Sequence, residues 1–300
     1  MPNYFSTDPG APTVTATASG PLEALRCLVS GIDDGAGNTK PGAGWTELYY
    51  DATTHKLVLQ PPSGVGVVSF SLNNTDRLYF WAAESATDAN TLIGAGSASS
   101  IYAGALQSSN NWFISAHGDE FIWWVGDGSY PMFTYGRGGI AGNASSYVSG
   151  DQYATYALGY NALASNLEYA IGEDHGAGYG HILRDQQGGN AGATGATLAS
   201  PGRLRGAVMS TTEITGNQAY ASELPNGDIP CSPVFLVNQH DGAPRALMPG
   251  LLVPSLSPGA LTAGDVLAVN GVDFTAVQTT NYTAATTCVV LVNLSTDWSA

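Results

Sequence analysis

Short apolar and aromatic runs, each closed by glycine, asparagine, aspartate or serine, follow one another along much of this chain. Residues 44–51 and 55–60 flank a polar Asp-Ala-Thr-Thr segment and predict a hairpin. Residues 65–72, 77–83, 112–116 and 120–125 continue the pattern. It returns at 234–238, 251–253, 266–270 and 288–293. β-Branched and aromatic side chains at these positions suit a pleated, half-buried surface. One segment differs: Leu22, Leu25, Leu28 and Val29 recur at helical spacing, with Ser19 as an N-cap and Gly31 as a stop. No strand alternates with a long amphipathic helix, so a parallel α/β sheet is not expected. The pattern predicts a mainly β fold of antiparallel sandwich or barrel-like modules, with one short N-terminal helix and long glycine-rich loops.

The stretch 126–222 is the least regular. Residues 136–139 and 188–195 read as glycine-rich loops. Tyr153, Tyr156 and Tyr160 fit one helical face, but the glycines around them leave that segment unassigned. Three parts are therefore expected: a β-rich region with the helix over 1–130, an irregular Gly/Ala-rich middle over 131–221, and a second β-rich region over 222–300.

Composition narrows the functional classes. Only 11% of the 300 residues are charged, and 38 are glycine, against the usual quarter charged and about 7% glycine. Weakly charged surfaces lose little solvation when buried against neighbours, which favours assembly. The net charge of −15 reflects just nine lysines and arginines. They cannot form the basic footprint that nucleic acid or an anionic membrane requires. Cys27, Cys231 and Cys288 show no metal-binding spacing and read as buried thiols of a reducing compartment. Residues 1–12 lack a signal-peptide pattern, and no apolar run is long enough to span a bilayer. Synthesis in a cytoplasm is the expectation.

Chemistry-bearing residues crowd in two places. Glu173, Asp174, His175 and His181 include metal-ligand types, but intervening glycines favour a solvated loop, and neither metal nor cofactor is expected. His117-Gly118-Asp119-Glu120 resembles half of a hydrolytic site, yet its composition is that of a turn between two aromatic strands. A glycan-degrading enzyme would need two carboxylates about 5 to 9.5 Å apart across a cleft. The candidates are Asp119 or Glu120 with Glu173 or Asp174, and an enzyme is not the expectation. Phe121, Trp123, Trp124, Tyr130 and Phe133 suit either packing or stacking on a host-surface glycan. In a strand, Trp123 and Trp124 point to opposite faces, so both faces would be covered. Trp45, Phe121, Trp123 and Trp124 are expected as packing anchors. The segment from Arg245 to Leu251 is expected to lead into an exposed edge or docking loop.

An ordered set of landmarks runs along the chain: Ser6-Thr7-Asp8-Pro9-Gly10-Ala11-Pro12, Cys27-Leu28-Val29-Ser30-Gly31, Ala43-Gly44-Trp45-Thr46, Leu78-Tyr79-Phe80-Trp81, Asp119-Glu120-Phe121-Ile122-Trp123-Trp124, Gly150-Asp151-Gln152-Tyr153-Ala154, Ser232-Pro233-Val234-Phe235 and Arg245-Ala246-Leu247-Met248-Pro249-Gly250-Leu251. In this order the chain resembles a family of virion structural proteins from tailed bacteriophages. It departs at the acidic Glu47 after Gly44-Trp45-Thr46, and no landmark falls in 160–222. The resemblance implies a virion part without catalytic residues and does not fix its place in the particle; a tail, collar or baseplate component is expected rather than a capsid decoration. Its implied partners are other virion proteins and copies of itself. The alternative is a receptor-recognition module for host glycans.

Overall fold

Antiparallel pairing organises the computed structural model, which describes residues 3–14, 19–37, 39–73, 77–96, 99–102, 112–126, 136–143, 155–159, 180–182, 196–199, 231–238, 244–254, 264–280 and 287–294. A central sheet has the order β1 (Asn3–Phe5), β11 (Trp112–His117), β12 (Glu120–Gly126), β13 (Gly136–Asn143), β14 (Thr155–Gly159) and β15 (Gly180–Ile182). An amino-terminal sheet runs β10 (Ser99–Tyr102), β7 (Arg77–Ala83), β6 (Val67–Asn73), β5 (Lys56–Gln60) and β4 (Thr46–Asp51). A carboxy-terminal sheet runs β16 (Ala196–Ala199), β17 (Cys231–Asn238), β18 (Pro244–Pro254), β21 (Thr287–Asn293), β20 (Val272–Thr280) and β19 (Val266–Val269). Two ribbons pair β2 (Ile32–Asp33) with β3 (Thr39–Lys40), and β8 (Ser85–Ala86) with β9 (Leu92–Ile93). The fold is mainly β, and each large sheet is an open row of strands rather than a closed barrel among the described residues. The central sheet draws strands from both sides of residue 130.

The one described helix, α1 (Gly20–Ser30), lies where the leucine spacing predicts it. Ser19 occupies the N-cap position, but its side chain makes no capping bond; its carbonyl accepts the Glu23 N–H at 2.9 Å. Gly31 closes the helix, its N–H reaching the Cys27 carbonyl at 2.9 Å. The hairpin of β4 and β5 turns on Asp51, whose carboxylate accepts the N–H groups of Thr53 and Thr54 and the Thr54 hydroxyl. Glu47 is tied by its carboxylate to the Arg26 Nε of α1 at 2.6 Å, and the Arg26 guanidinium also lies over the Tyr50 ring.

Pleat alternation sorts the central sheet into two faces. Tyr4, Trp112, Ile114, Ala116, Phe121, Trp123, Ala141 and Ala157 line one. They join a single apolar core with Leu22, Leu25 and Leu28 of α1 and with Leu57, Leu59, Val68, Phe70, Leu78 and Phe80 of the amino-terminal sheet. Phe113, Ser115, Glu120, Ile122, Trp124 and Tyr156 line the other. Contacts from Tyr156 to Met248, from Ser115 to the Asn293 carbonyl and from Asn3 to the Leu294 carbonyl bring the carboxy-terminal sheet against that face.

Two segments depart from the sequence pattern. Residues 136–139, expected as a loop, are the first half of β13, where Gly138 and Gly139 stand opposite Trp124 and Trp123. Glycine leaves room beside two large rings, so a run that looks like a breaker pairs as a strand here. The tyrosine segment is also extended at Thr155–Gly159, with buried Tyr156 and Ala157 on opposite faces.

Candidate functional site

The hairpin of β11 and β12 gathers most of the chemistry-bearing residues that the structure describes. Its register pairs His117 with Glu120 and leaves Gly118 and Asp119 as the turn. The expected turn is therefore present, and the aromatic strand follows it directly. Trp123 and Trp124 are both fully buried, one on each face. Phe121 packs edge-on against Trp45 at 5.2 Å between centroids and lies 6.1 Å from Phe70. Trp123 meets Phe80 at 6.3 Å, and on the opposite face Trp124 stacks on Phe113 at 6.5 Å. The indole N–H groups of Trp45, Trp123 and Trp124 find no acceptor among the described residues. These rings contribute through buried area and shape. Neither ring of the Trp123/Trp124 pair is open to a sugar in the folded chain.

Asp119 joins two sheets at the turn. Its carboxylate accepts the Ser63 N–H at 2.8 Å, and its carbonyl accepts the Asn143 N–H at 3.0 Å. The Asn143 side-chain amide reaches the Ser63 hydroxyl at 3.4 Å. Gly66, at a φ of 69°, comes so close to β14 that an added Cβ would lie 1.9 Å from the Thr155 hydroxyl.

Glu120 is set apart from its neighbour. Only 8% of it is exposed, on the face turned to the carboxy-terminal sheet. Burial, reinforced by the negative charge of Asp119, pushes its carboxyl up to about 8, against the opposing pull of the Tyr156 hydroxyl bonded to it. Tyr156 is itself pushed well above its ordinary range by burial and by Glu120. Glu120, Gly142 and Tyr156 stand in a row across β12, β13 and β14. Their outer strands are about 10 Å apart, and the missing side chain at Gly142 lets the carboxyl and phenol meet over the middle strand. A Cβ at Gly142, whose φ is +154°, would lie 2.2 Å from the Asp119 carbonyl oxygen. The Tyr156 hydroxyl also points at the Met248 sulfur of β18, 3.9 Å away.

The remaining sequence candidates scatter. Leu251 is buried on β18 opposite Val292 of β21, so this end of the segment is interior rather than an exposed edge. Leu247 of the same strand is exposed. Arg245 lies on β18, with its side chain outside the described residues, and His181 lies likewise on β15. Glu173, Asp174, His175, Tyr130, Phe133 and the stretch 188–195 fall outside the described residues. Cys27 is a buried free thiol pushed up to about 12, chiefly by burial. Among the described residues no group of three or more His, Cys, Asp or Glu converges as a metal would require.

Tyr156, Gly142 and Met248 were not legible as partners of Glu120. One signal was available: the run from 120 to 125 is apolar at both parities after its first residue, which marks a strand covered on both sides and a carboxyl caught at its end. No protein-family model matches the chain, and no curated protein does either.

Proposed function

We propose that this chain is a structural component of a tailed-bacteriophage virion, acting by assembly with copies of itself and with other virion proteins rather than by catalysis. A place in the tail, collar or baseplate fits better than capsid decoration. The observation that carries the reading is β12, an aromatic strand with Trp123 buried on one face and Trp124 on the other. Layers stacked around one such strand resist bending and shear, as a load-transmitting part must. The strand order of the carboxy-terminal sheet also supports assembly. It ends on β19, where Val266 is 59% exposed and no charge lies between Val266 and Val269. An uncharged edge is suited to pairing with another subunit. Immunogold microscopy of purified virions, with an antibody against residues 222–300, tests the reading. Gold at one fixed place on the particle is expected. Unlabelled intact and gently disrupted particles, with the protein present in the lysate, would overturn it.

A second reading, recognition of a host glycan, is favoured by a different aromatic pair from the one the sequence suggested. Tyr79 and Trp81 stack at 5.8 Å on the face of β7 turned away from the core, half-buried, with Ser71 and Ser69 opposite them on β6. Ser69 is buried, so the stacked rings with the half-buried Ser71 beside Tyr79 are what could meet the apolar face of a sugar. Loss of cell-surface binding in a Trp81→Ala variant that still folds would favour this reading. Unchanged binding would remove it.

A further inference from the structure

Glu120 is closed between two sheets, and no described lysine or arginine side chain forms an ion pair with it. The groups that face it are few. Asp119 precedes it on β12, and His117 is its cross-strand partner on β11. β13 offers Gly142 and the neutral Asn143, and β14 offers Tyr156. The carboxy-terminal sheet brings the neutral Met248 and Asn293 to this face. Its described acidic residues, Asp265 and Asp273, are exposed near the hairpin of β19 and β20. A carboxylate enclosed in such surroundings has the Tyr156 hydroxyl as a donor but, among the described residues, no lysine or arginine to offset its lost hydration.

We propose that the seam between the central and carboxy-terminal sheets is a proton-operated latch, closed by neutral Glu120 and loosened when Glu120 ionises. In the closed state the Glu120 acid proton is donated to the Tyr156 oxygen. The Tyr156 hydrogen is then free to point at the Met248 sulfur, which lies within reach at 3.9 Å. When Glu120 gives its proton to solvent, the Tyr156 hydroxyl turns to donate to the new carboxylate, and the contact across the seam is given up. Sulfur is a weak acceptor, so that contact is a small term. The larger drive is the carboxylate's need for water, which separation of β18 from β14 supplies.

The direction with pH follows from linkage. The closed state holds the Glu120 proton more tightly than the open state, so closure is strongest in acid and weakens as pH rises, levelling off near pH 8. Backbone hydrogen–deuterium exchange of the full chain between pH 5 and 9, corrected for intrinsic exchange rates, reads this directly. Opening of peptides spanning β18 is expected to grow by up to about tenfold per pH unit, while peptides spanning α1, β5 and β6 stay level. Glu120→Gln is expected to flatten the β18 response. A wild-type β18 response that is level, or equal in Glu120→Gln, would overturn the latch. Carboxyl-carbon NMR of the wild-type chain supplies a second reading that needs no variant. One glutamate titrating far above the rest, in step with β18 opening, supports the latch, and a uniform ordinary titration of all glutamates overturns it.

Discussion

The two faces of the central sheet are made from the same strands and filled differently. The face toward α1 and the amino-terminal sheet is lined by Tyr4, Trp112, Ile114, Phe121 and Trp123 and merges into one apolar core. The face toward the carboxy-terminal sheet has Phe113, Ile122 and Trp124, but Ser115, Glu120 and Tyr156 lie among them, and Asn3, Ser115 and Tyr156 make hydrogen bonds across it. Apolar burial carries no titrating group, whereas a seam with an enclosed acid depends on protonation. The first face holds the fold together, and the second can be adjusted without dismantling it.

The largest expected effect attacks the dry face. Trp123→Ala removes a fully buried ring beside Phe80 and should lower unfolding free energy by about 4 kcal/mol at every pH, read from urea midpoints. A loss under 1 kcal/mol would mean that this face is not the principal core. Next comes Glu120→Gln on the polar face. Glu120 has its folded value raised to about 8 from 4.5. Its stabilising contribution is thus fully present below about pH 4.5 and is lost as pH rises to about 8. The variant should match wild type near pH 4.5 and exceed it by on the order of 3 kcal/mol at pH 7. Parallel stability curves for the two proteins would contradict the assignment.

Tyr156→Phe keeps the ring and deletes the hydroxyl between Glu120 and Met248. A loss of about 1 kcal/mol is expected by thermal or urea denaturation, with the greater part at alkaline pH, where the carboxylate needs the donor. An equal loss at pH 5 and pH 9 would separate Tyr156 from Glu120 titration. The smallest effect lies on the surface. Arg26→Ala breaks the bonds to Glu23 and Glu47 and uncovers Tyr50. With all three groups partly exposed, about 0.5 kcal/mol is expected, shrinking in high salt. A salt-independent loss several times larger would make this cluster part of the core.

Strands rich in β-branched and aromatic residues were legible because their alternation is local. β7 spans the same residues that the pattern marks, 77–83, and β11 and β12 each run one residue beyond it. β13 was not legible, because three of its first four positions, Gly136, Gly138 and Gly139, are glycine and read as a breaker until paired with the tryptophans of β12. Glu120 was visible as a carboxylate, but its neighbour Asp119 made the pair look like one exposed turn. The backbone puts them on opposite sides, Asp119 bonded at the turn and Glu120 closed in the seam.

The sequence by itself determined the position of α1, the strand type of runs such as 77–83, 112–116 and 120–125, and the side of those strands on which a residue stands, because pleat and helical periods are set by neighbours in the chain. What covers each side was decided only by the tertiary structure. The carboxy-terminal sheet reaches the central one through pairs such as Ser115 with Asn293 and Tyr156 with Met248, far apart in sequence. A carboxyl's protonation depends on the water and charge around it, and for Glu120 those come from segments that no local pattern connects.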